Sequence, residues 1–541
     1  MFTNATKRLA TPRAARSACP RPSARAVSTI NSKLPKSTNF PSLPAQRRPC
    51  VSRRDTHTLR FPCGFPSLSQ PSRRHVSSAR DATDPKKYRA FIALGSNMGD
   101  RVAMIERACR ELESGGKVKI IQTSSLWETK AMYVVDQDNF VNGACEIETP
   151  LSPIELLDEL QRVEKKMDRV KIIDKGPRNI DLDILLWDYT VYSDERLQIP
   201  HALMFEREFV LRPLLELLPR DPRNFPFKGQ IRDHLKRLPI PDVPLVPMTP
   251  LAPHLSPISS AQLTNNTRIM SILNVTPDSF SDGGQNYGID EAQLANTIRS
   301  HIADGATIID VGGQSTRPGA VQVSPEEELA RVLPAVKLIR SLPEAENVAI
   351  SVDTYRGSVA EEAIKAGANM INDVSAGAMD DTMLSTMGRL GCTVCLMHMR
   401  GTPETMTSPE MTSYPDGIVE TVGRELLERV YAAEKAGVRR WRIILDPGIG
   451  FAKTQAHNLE LLRRQDELMR YPGLEGMPWL VGTSRKAFIG KITGAKEAKD
   501  RGWGTAVAVA AAVKGGAQIV RVHDVKEMTQ TVKMADALWR A

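Results

Sequence analysis

Eight short apolar runs recur along the second half of the chain, and most are separated by helix-length segments. They are Ile269–Val275, Thr307–Val311, Val348–Val352, Met370–Ile371, Thr393–Met397, Arg442–Leu445, Trp479–Val481 and Gln518–Val522. Eight strand-then-helix units in about 275 residues match the length and rhythm of a (β/α)8 TIM barrel. In such a barrel, side chains from separate strands converge at the carboxyl ends of the strands. Here each run ends at or beside a polar group: Asn274, Asp310, Asp353, Asn372, His398, Asp446, Ser484 with Lys486, and Arg521 with His523. Any one of these can be a loop cap, but eight together predict one polar mouth. Asp353, Asn372 and Asp446 can pair with a flat nitrogen heterocycle that offers donors and acceptors. Lys486, Arg521 and His523 can neutralise phosphate. Spacing alone therefore reaches a heterocycle carrying a phosphorylated leaving group.

Upstream of the barrel, seven prolines lie between Leu238 and Pro257, namely Pro239, Pro241, Pro244, Pro247, Pro250, Pro253 and Pro257. Such a stretch is expected to hold neither a helix nor a central strand and to act as a semi-extended linker over 243–266. Before it, strand-like segments at Tyr88, Val118–Ser125, Phe140–Glu148 and Asp181–Tyr189 mix with helical ones at Arg101–Glu113 and Pro153–Asp168. That mixture predicts a separate α+β domain over 85–242, with the barrel over 267–541.

The net charge of +9 divides unevenly along the chain. Residues 1–80 hold sixteen Lys or Arg and one acid, Asp55, a net of +15 that leaves the remainder at −6. A chain-wide nucleic-acid footprint is thereby excluded. Arg- and Ser-rich, acid-poor composition in 1–84 fits an organellar transit peptide, mitochondrial before plastid, against the plain alternative of a disordered basic tail in a cytoplasmic protein. No run of eighteen apolar residues occurs, so no spanning helix is expected. Three of the seven cysteines lie in the leader, and Cys392 and Cys395 sit in an apolar run where they point to opposite strand faces, which disfavours a metal or redox pair.

In the first domain, Gly176-Pro-Arg-Asn-Ile-Asp-Leu-Asp-Ile184 places Asp181 and Asp183 on one strand face. Two adjacent carboxylates repel unless a cation joins them, and hard oxygen ligands suit Mg²⁺. A lone Asp-x-Asp is commonly a solvated face. Arg169, Lys171, Lys175 and Arg178 just upstream instead suggest a nucleoside triphosphate with Mg²⁺. No Walker loop is present; Gly448-Ile-Gly-Phe-Ala-Lys-Thr454 has Ala452 where Gly is required.

The barrel half resembles dihydropteroate synthases, through Ile272–Gly284, Asp310–Gly319, Leu445–Phe451, Ser484-Arg-Lys486 and Arg521-Val-His-Asp524. The resemblance implies that p-aminobenzoate is joined to hydroxymethyl-dihydropterin diphosphate. It implies pterin binding by Asp353, Asn372, Asp446 and Lys486, with Asn274 at a diphosphate-bound Mg²⁺ and Arg317, Arg521 and His523 on the diphosphate. Thr316, Arg317, Pro318, Phe280 and Ser484 would enclose p-aminobenzoate. Gln314 stands where many bacterial members have Glu.

Residues 88–240 resemble hydroxymethyl-dihydropterin pyrophosphokinases, through Ala93–Asn97, Thr129–Asn142, Gly176–Ile184, Ile199-Pro-His201 and Arg207-Glu-Phe209. The resemblance implies a ferredoxin-like fold, ATP as co-substrate and Mg²⁺ on Asp181 and Asp183, with Arg169 and Arg178 catalytic. It places Gln161, Glu164, Arg196, His201 and Arg207 on ATP, and Thr129, Phe140, Asn142 and Phe209 on the pterin. The pair resembles the bifunctional folate-synthesis enzymes of plants and fungi, whose barrels commonly self-associate. Only small-molecule substrates and other copies of the chain are expected as partners, with no nucleic acid and no membrane. The rivals are a methyltetrahydrofolate methyltransferase, which should lack Ser315-Thr-Arg-Pro-Gly319 and Ser484-Arg-Lys486, and a silent pterin-binding scaffold, which should have lost Asp181, Asp183, Lys486 or Arg521.

Overall fold

Strand β1 (Tyr88–Ser96) is buried along most of its length and pairs on both edges, so it takes the centre of an antiparallel sheet. The computed structural model describes residues 86–131, 137–169, 176–188, 190–219, 227–240, 244–260, 266–276, 290–315 and 322–540. The expected leader, Phe280, Thr316, Arg317, Pro318, Lys171 and Lys175 lie outside the described residues. After β1 come α1 (Arg101–Ser114), β2 (Lys119–Thr123), β3 (Leu126–Thr129), β4 (Phe140–Thr149), α2 (Pro153–Lys166) and β5 (Asp181–Trp187). A small hairpin, β6 (Tyr192–Ser193) with β7 (Gln198–Ile199), leads to α3 (Glu208–Leu217) and α4 (Phe227–Arg237). The strand order β5-β1-β4-β3 with α1 and α2 as crossovers is the ferredoxin-like arrangement.

Local chemistry sets the two crossover helices. Asp100 caps α1 by accepting from Ala103 N, and Ser152 and Glu155 form a reciprocal capping box on α2. Ile105, Ala108 and Leu112 on α1, with Leu156, Leu160 and Val163 on α2, then bury their stripes against the sheet.

The proline-rich segment corrects one expectation. β8 (Val246–Thr249) pairs antiparallel with β3, and β9 (Ile258–Ser259) pairs with β8, so β8 is an interior strand. Proline forbids helix but only removes one donor from a ladder, and Pro247 pairs on the β3 side alone. Leu251, Leu255 and Ile258 from the same segment close the floor of the barrel.

The barrel strands are β10 (Arg268–Asn274), β11 (Ile308–Gly312), β12 (Ala349–Asp353), β13 (Met370–Asp373), β14 (Thr393–Met397), β15 (Ile443–Asp446), β16 (Leu480–Val481) and β17 (Ile519–Val522). All pairs are parallel, in the order β15-β14-β13-β12-β11-β10-β17-β16. A bridge between Leu445 and Trp479 and a 2.9 Å bond from Leu445 N to Pro478 O close the ring. Period-two alternation then stacks the interior. Met270, Ile308, Ala349, Met370, Cys395, Ile444, Leu480 and Ile519 form its apolar floor. Two residues further along five of these strands the same inward face carries Asp310, Ser351, Asn372, Asp446 and Arg521. The polar mouth is thus the next layer of the same alternation.

Arg439–Arg442, just before β15, dock on the first domain. Glu106 of α1 accepts from Trp441 Nε1 at 3.0 Å and from Arg442 Nε at 2.7 Å, and Glu113 meets Arg439 at 2.7 Å. Trp441 is 1% exposed and belongs to the first domain's core.

Candidate active sites

Asp310 is the pivot of the barrel mouth. It is fully buried, and its Oδ2 accepts from Arg521 Nε at 2.6 Å and from Asn372 Nδ2 at 3.0 Å. Arg521 also donates Nη2 to Asp353 Oδ2 at 2.7 Å. Burial pushes the Asp353 carboxyl up, against the pull of Arg521, with Asp310 adding like charge. Burial likewise raises Asp446, opposed by Lys486 and by the Gly448 N–H, which donates to Asp446 Oδ1 at 2.7 Å. Lys486 donates to Ile449 O and lies 4.5 Å from the centre of the Phe451 ring; burial lowers its ammonium to about 8, with Asp446 pulling the other way. Carboxylates, an amide and two cations therefore face one opening, able to meet both edges of a heterocycle and an anion beside it.

The other expected rim residues fall nearby. A Cβ on Gly312 would lie 3.5 Å from Asn274 Oδ1 and 3.7 Å from Asp353 Cβ, so Asn274 borders the same opening. Ser484 Oγ accepts from His523 N at 3.2 Å and lies 2.9 Å from His523 Nδ1. The sequence assigned these two to different substrate groups, and the fold joins them. Gln314 is buried and accepts from Arg356 Nη1 at 3.2 Å. Asp310 was visible only as a strand tip, and its pairing depends on Arg521, more than two hundred residues away. Lys453, 9% exposed behind Asp446, was passed over as part of a failed phosphate-loop match.

In the first domain, Asp181 and Asp183 share a strand face opposite Gly95 and Ala93 of β1. Asp181 accepts from Arg169 Nη2 at 2.6 Å and from Arg178 Nη1 at 2.5 Å. Glu164 bonds Arg169 and accepts from Leu182 N at 2.8 Å, which ties α2 to β5. Burial, then the charge on Asp181, raises Asp183, while His201, Arg169 and Arg207 pull it down. Six of the expected residues thus converge: Arg169, Arg178, Asp181, Asp183, His201 and Arg207. Asn142 donates to Thr129 Oγ1 at 2.8 Å, and Phe140 and Phe209 are half-buried. Arg207 lies 5.9 Å from the centre of the Phe209 ring. Arg196 instead pairs with Asp158 at 2.5 Å on the surface, and Gln161 is exposed on α2. No group of three or more potential metal-ligating side chains occurs among the described residues.

A closed parallel barrel with this polar mouth is joined to a ferredoxin-like domain whose half-buried acidic pair lies among arginines. Residues 270–523 match the family "Pterin binding enzyme", and residues 91–219 match "7,8-dihydro-6-hydroxymethylpterin-pyrophosphokinase (HPPK)". "Folic acid synthesis protein fol1" of Schizosaccharomyces pombe is 47% identical, over 83% of this chain and 59% of that protein. "Folate synthesis bifunctional protein, mitochondrial" of Arabidopsis thaliana is 41% identical, over 84% of each chain. Plasmodium falciparum HPPK-DHPS, solved with pterin and p-hydroxybenzoate, has the same fold, with a TM-score of 0.66 and 20% identity over 84% of this chain and 98% of that one. The chain belongs to the family of bifunctional folate synthesis proteins. It spans about three-fifths of the length of the fungal relatives it matches.

Proposed function

We propose that this chain catalyses two consecutive steps of folate synthesis. In the first, the hydroxyl oxygen of 6-hydroxymethyl-7,8-dihydropterin attacks the β-phosphorus of ATP. The bond from that phosphorus to the α-phosphate oxygen breaks, AMP departs and the hydroxyl proton is released. In the second, the amino nitrogen of p-aminobenzoate attacks the pterin methylene carbon. The C–O bond to the diphosphate breaks, the nitrogen loses a proton, and pyrophosphate and 7,8-dihydropteroate result.

The observation that carries this reading is the Arg521–Asp310–Asp353–Asn372 network with Lys486 beside Asp446, all at one barrel end. Asp353, Asn372, Asp446 and Lys486 would hold the pterin. Arg521, His523 and Asn274 would take the diphosphate, and Ser484 the p-aminobenzoate carboxylate. Positive charge fixed where pyrophosphate leaves lowers the barrier without reorganisation at the moment of reaction.

In the first domain, Arg169, Arg178, His201 and Arg207 would neutralise the triphosphate, with Glu164, Gln161 and Arg196 nearer the nucleotide. Thr129, Phe140, Asn142 and Phe209 would seat the pterin. The raised Asp183 beside Asp181 fits a divalent cation, because two crowded carboxylates are relieved by one. Mg²⁺ held there would screen and align the phosphates. Asn274 would meet a second Mg²⁺ on the diphosphate.

Two further assignments concern location and assembly. The basic leader, together with the name of the Arabidopsis relative, supports import into mitochondria. Helix Gly502–Lys514 exposes Trp503 at 90% and Val507 at 72%, and helix Val525–Trp539 beside it exposes Met534 at 60% and Leu538 at 57%. An apolar patch of this kind supports a homo-oligomer.

The test is the purified chain supplied with ATP, Mg²⁺, hydroxymethyl-dihydropterin and p-aminobenzoate. AMP and dihydropteroate are expected together; AMP alone would remove the barrel assignment, and neither product would remove both.

A further inference from the structure

Behind Asp446 lies a closed circuit of buried and half-buried polar groups to which neither reaction has yet given a role. Lys453 Nζ donates to His398 Nδ1 at 2.8 Å and to Phe451 O at 3.0 Å. His398 is 3% exposed, and its Nε2 lies 2.9 Å from Glu425 Oε2. Burial, then the neighbouring Lys453 charge, lowers His398 to about 4, so the ring is neutral near pH 7. These partners assign the tautomer: Nε2–H donates to Glu425, and Nδ1 accepts from Lys453. Glu425 also accepts from Arg400 Nε at 2.9 Å. The Arg400 guanidinium lies 4.3 Å from the centre of the Tyr414 ring, and Tyr414 Oη donates to Ala452 O at 2.9 Å. Ala452 precedes Lys453, so the circuit returns to its start.

The circuit borders a turn that is also held by Phe451 N donating to Gly448 O at 3.0 Å and by Gly450 N donating to Asn458 Oδ1 at 2.6 Å. Gly448 has φ +67°, Gly450 +87° and the alanine at 452 +49°, so three of five consecutive residues are left-handed. A non-glycine residue in that region is strained and persists only where its surroundings over-determine it. At Gly448 any side chain is excluded, because a Cβ would lie 1.9 Å from His398 O. The same turn supplies what Lys486 rests on, namely Ile449 O and the Phe451 ring, and its Gly448 N–H orients Asp446.

We infer that Lys453 is a positioning residue for the second reaction: bonded to His398 and through it to Glu425, it fixes the Asp446–Phe451 turn so that Asp446 and Lys486 meet the heterocycle. This rests on the function proposed above. Lys453 itself sits behind the turn and acts only through it. Losing it therefore weakens substrate and transition state alike, which raises KM and spares kcat.

The experiment uses the full chain and follows both reactions. K453M replaces the amine with an unbranched side chain of similar length. The KM for hydroxymethyl-dihydropterin diphosphate is expected to rise about tenfold, a loss of about 1.4 kcal/mol of binding, while kcat stays within about twofold. AMP formation by the first domain should not change. H398N keeps an acceptor near the Nδ1 position but loses the bond to Glu425 and should fall between the parent and H398L, whereas H398L should behave like K453M. An unchanged KM in both K453M and H398L overturns the inference, and so does a parallel fall in both reactions, which is what a merely structural role gives. Failure of the unsubstituted chain to form dihydropteroate would instead overturn the proposed function, and this inference with it.

Discussion

Lys486 shows how burial tunes a single group. Its ammonium is lowered to about 8, so it carries charge below that pH and loses it as pH rises through it. The KM of the second reaction for its diphosphate substrate should therefore climb above about pH 8. In K486R the guanidinium stays charged, and this alkaline limb should vanish from a pH series; a limb that persists assigns it to another group. Asp183 can be tested with its own internal control. D183N should slow AMP formation by at least about 10²-fold. Dihydropteroate formation from preformed diphosphate should stay at the parent rate, and a loss of both would place Asp183 among purely structural groups. At this scale much was legible: Asp353, Asn372, Asp446, Lys486 and Arg521 were found as polar tips of apolar runs. Asp310 was not assigned a role, because a tip that pairs inward looks in sequence like one that faces substrate.

Among the elements, the helices Gly502–Lys514 and Val525–Trp539 leave an apolar strip in water. V507E puts a charge at the centre of that strip while touching neither site. If the proposed homo-oligomer forms through this face, V507E should give monomer in sedimentation with both reactions retained; an unchanged sedimentation profile would exclude this face. The barrel strands were legible as short apolar runs, since a parallel strand covered on both faces is buried at nearly every position. The proline-rich segment was read only in part. Its extended backbone followed from φ restriction, but its place between β3 and β9 did not. Proline content says what a segment cannot do, while pairing needs a neighbour with free donors and acceptors.

Arg439–Arg442 precede β15 and Thr393 begins β14, so the first domain engages the amino ends of these barrel strands, while Asp446 and His398 mark the carboxyl ends where the mouth opens. If the two proposed reactions run in succession, this placement predicts that the diphosphate intermediate passes through water. With labelled hydroxymethyl-dihydropterin and ATP, added unlabelled diphosphate should dilute the label in dihydropteroate in proportion to its concentration; undiluted label would show direct transfer. The sequence by itself determined the repeating unit, the polar tips and the acidic pair, because each depends on residues within a few positions of one another. Only the tertiary structure decided that Arg521 neutralises Asp310 and Asp353, that Ser484 meets His523, and that Trp441 lies in the other domain's core. Those pairings join residues about forty to more than three hundred positions apart. They exist because ring closure and burial bring these groups within hydrogen-bonding or packing reach of one another, a condition no local pattern records.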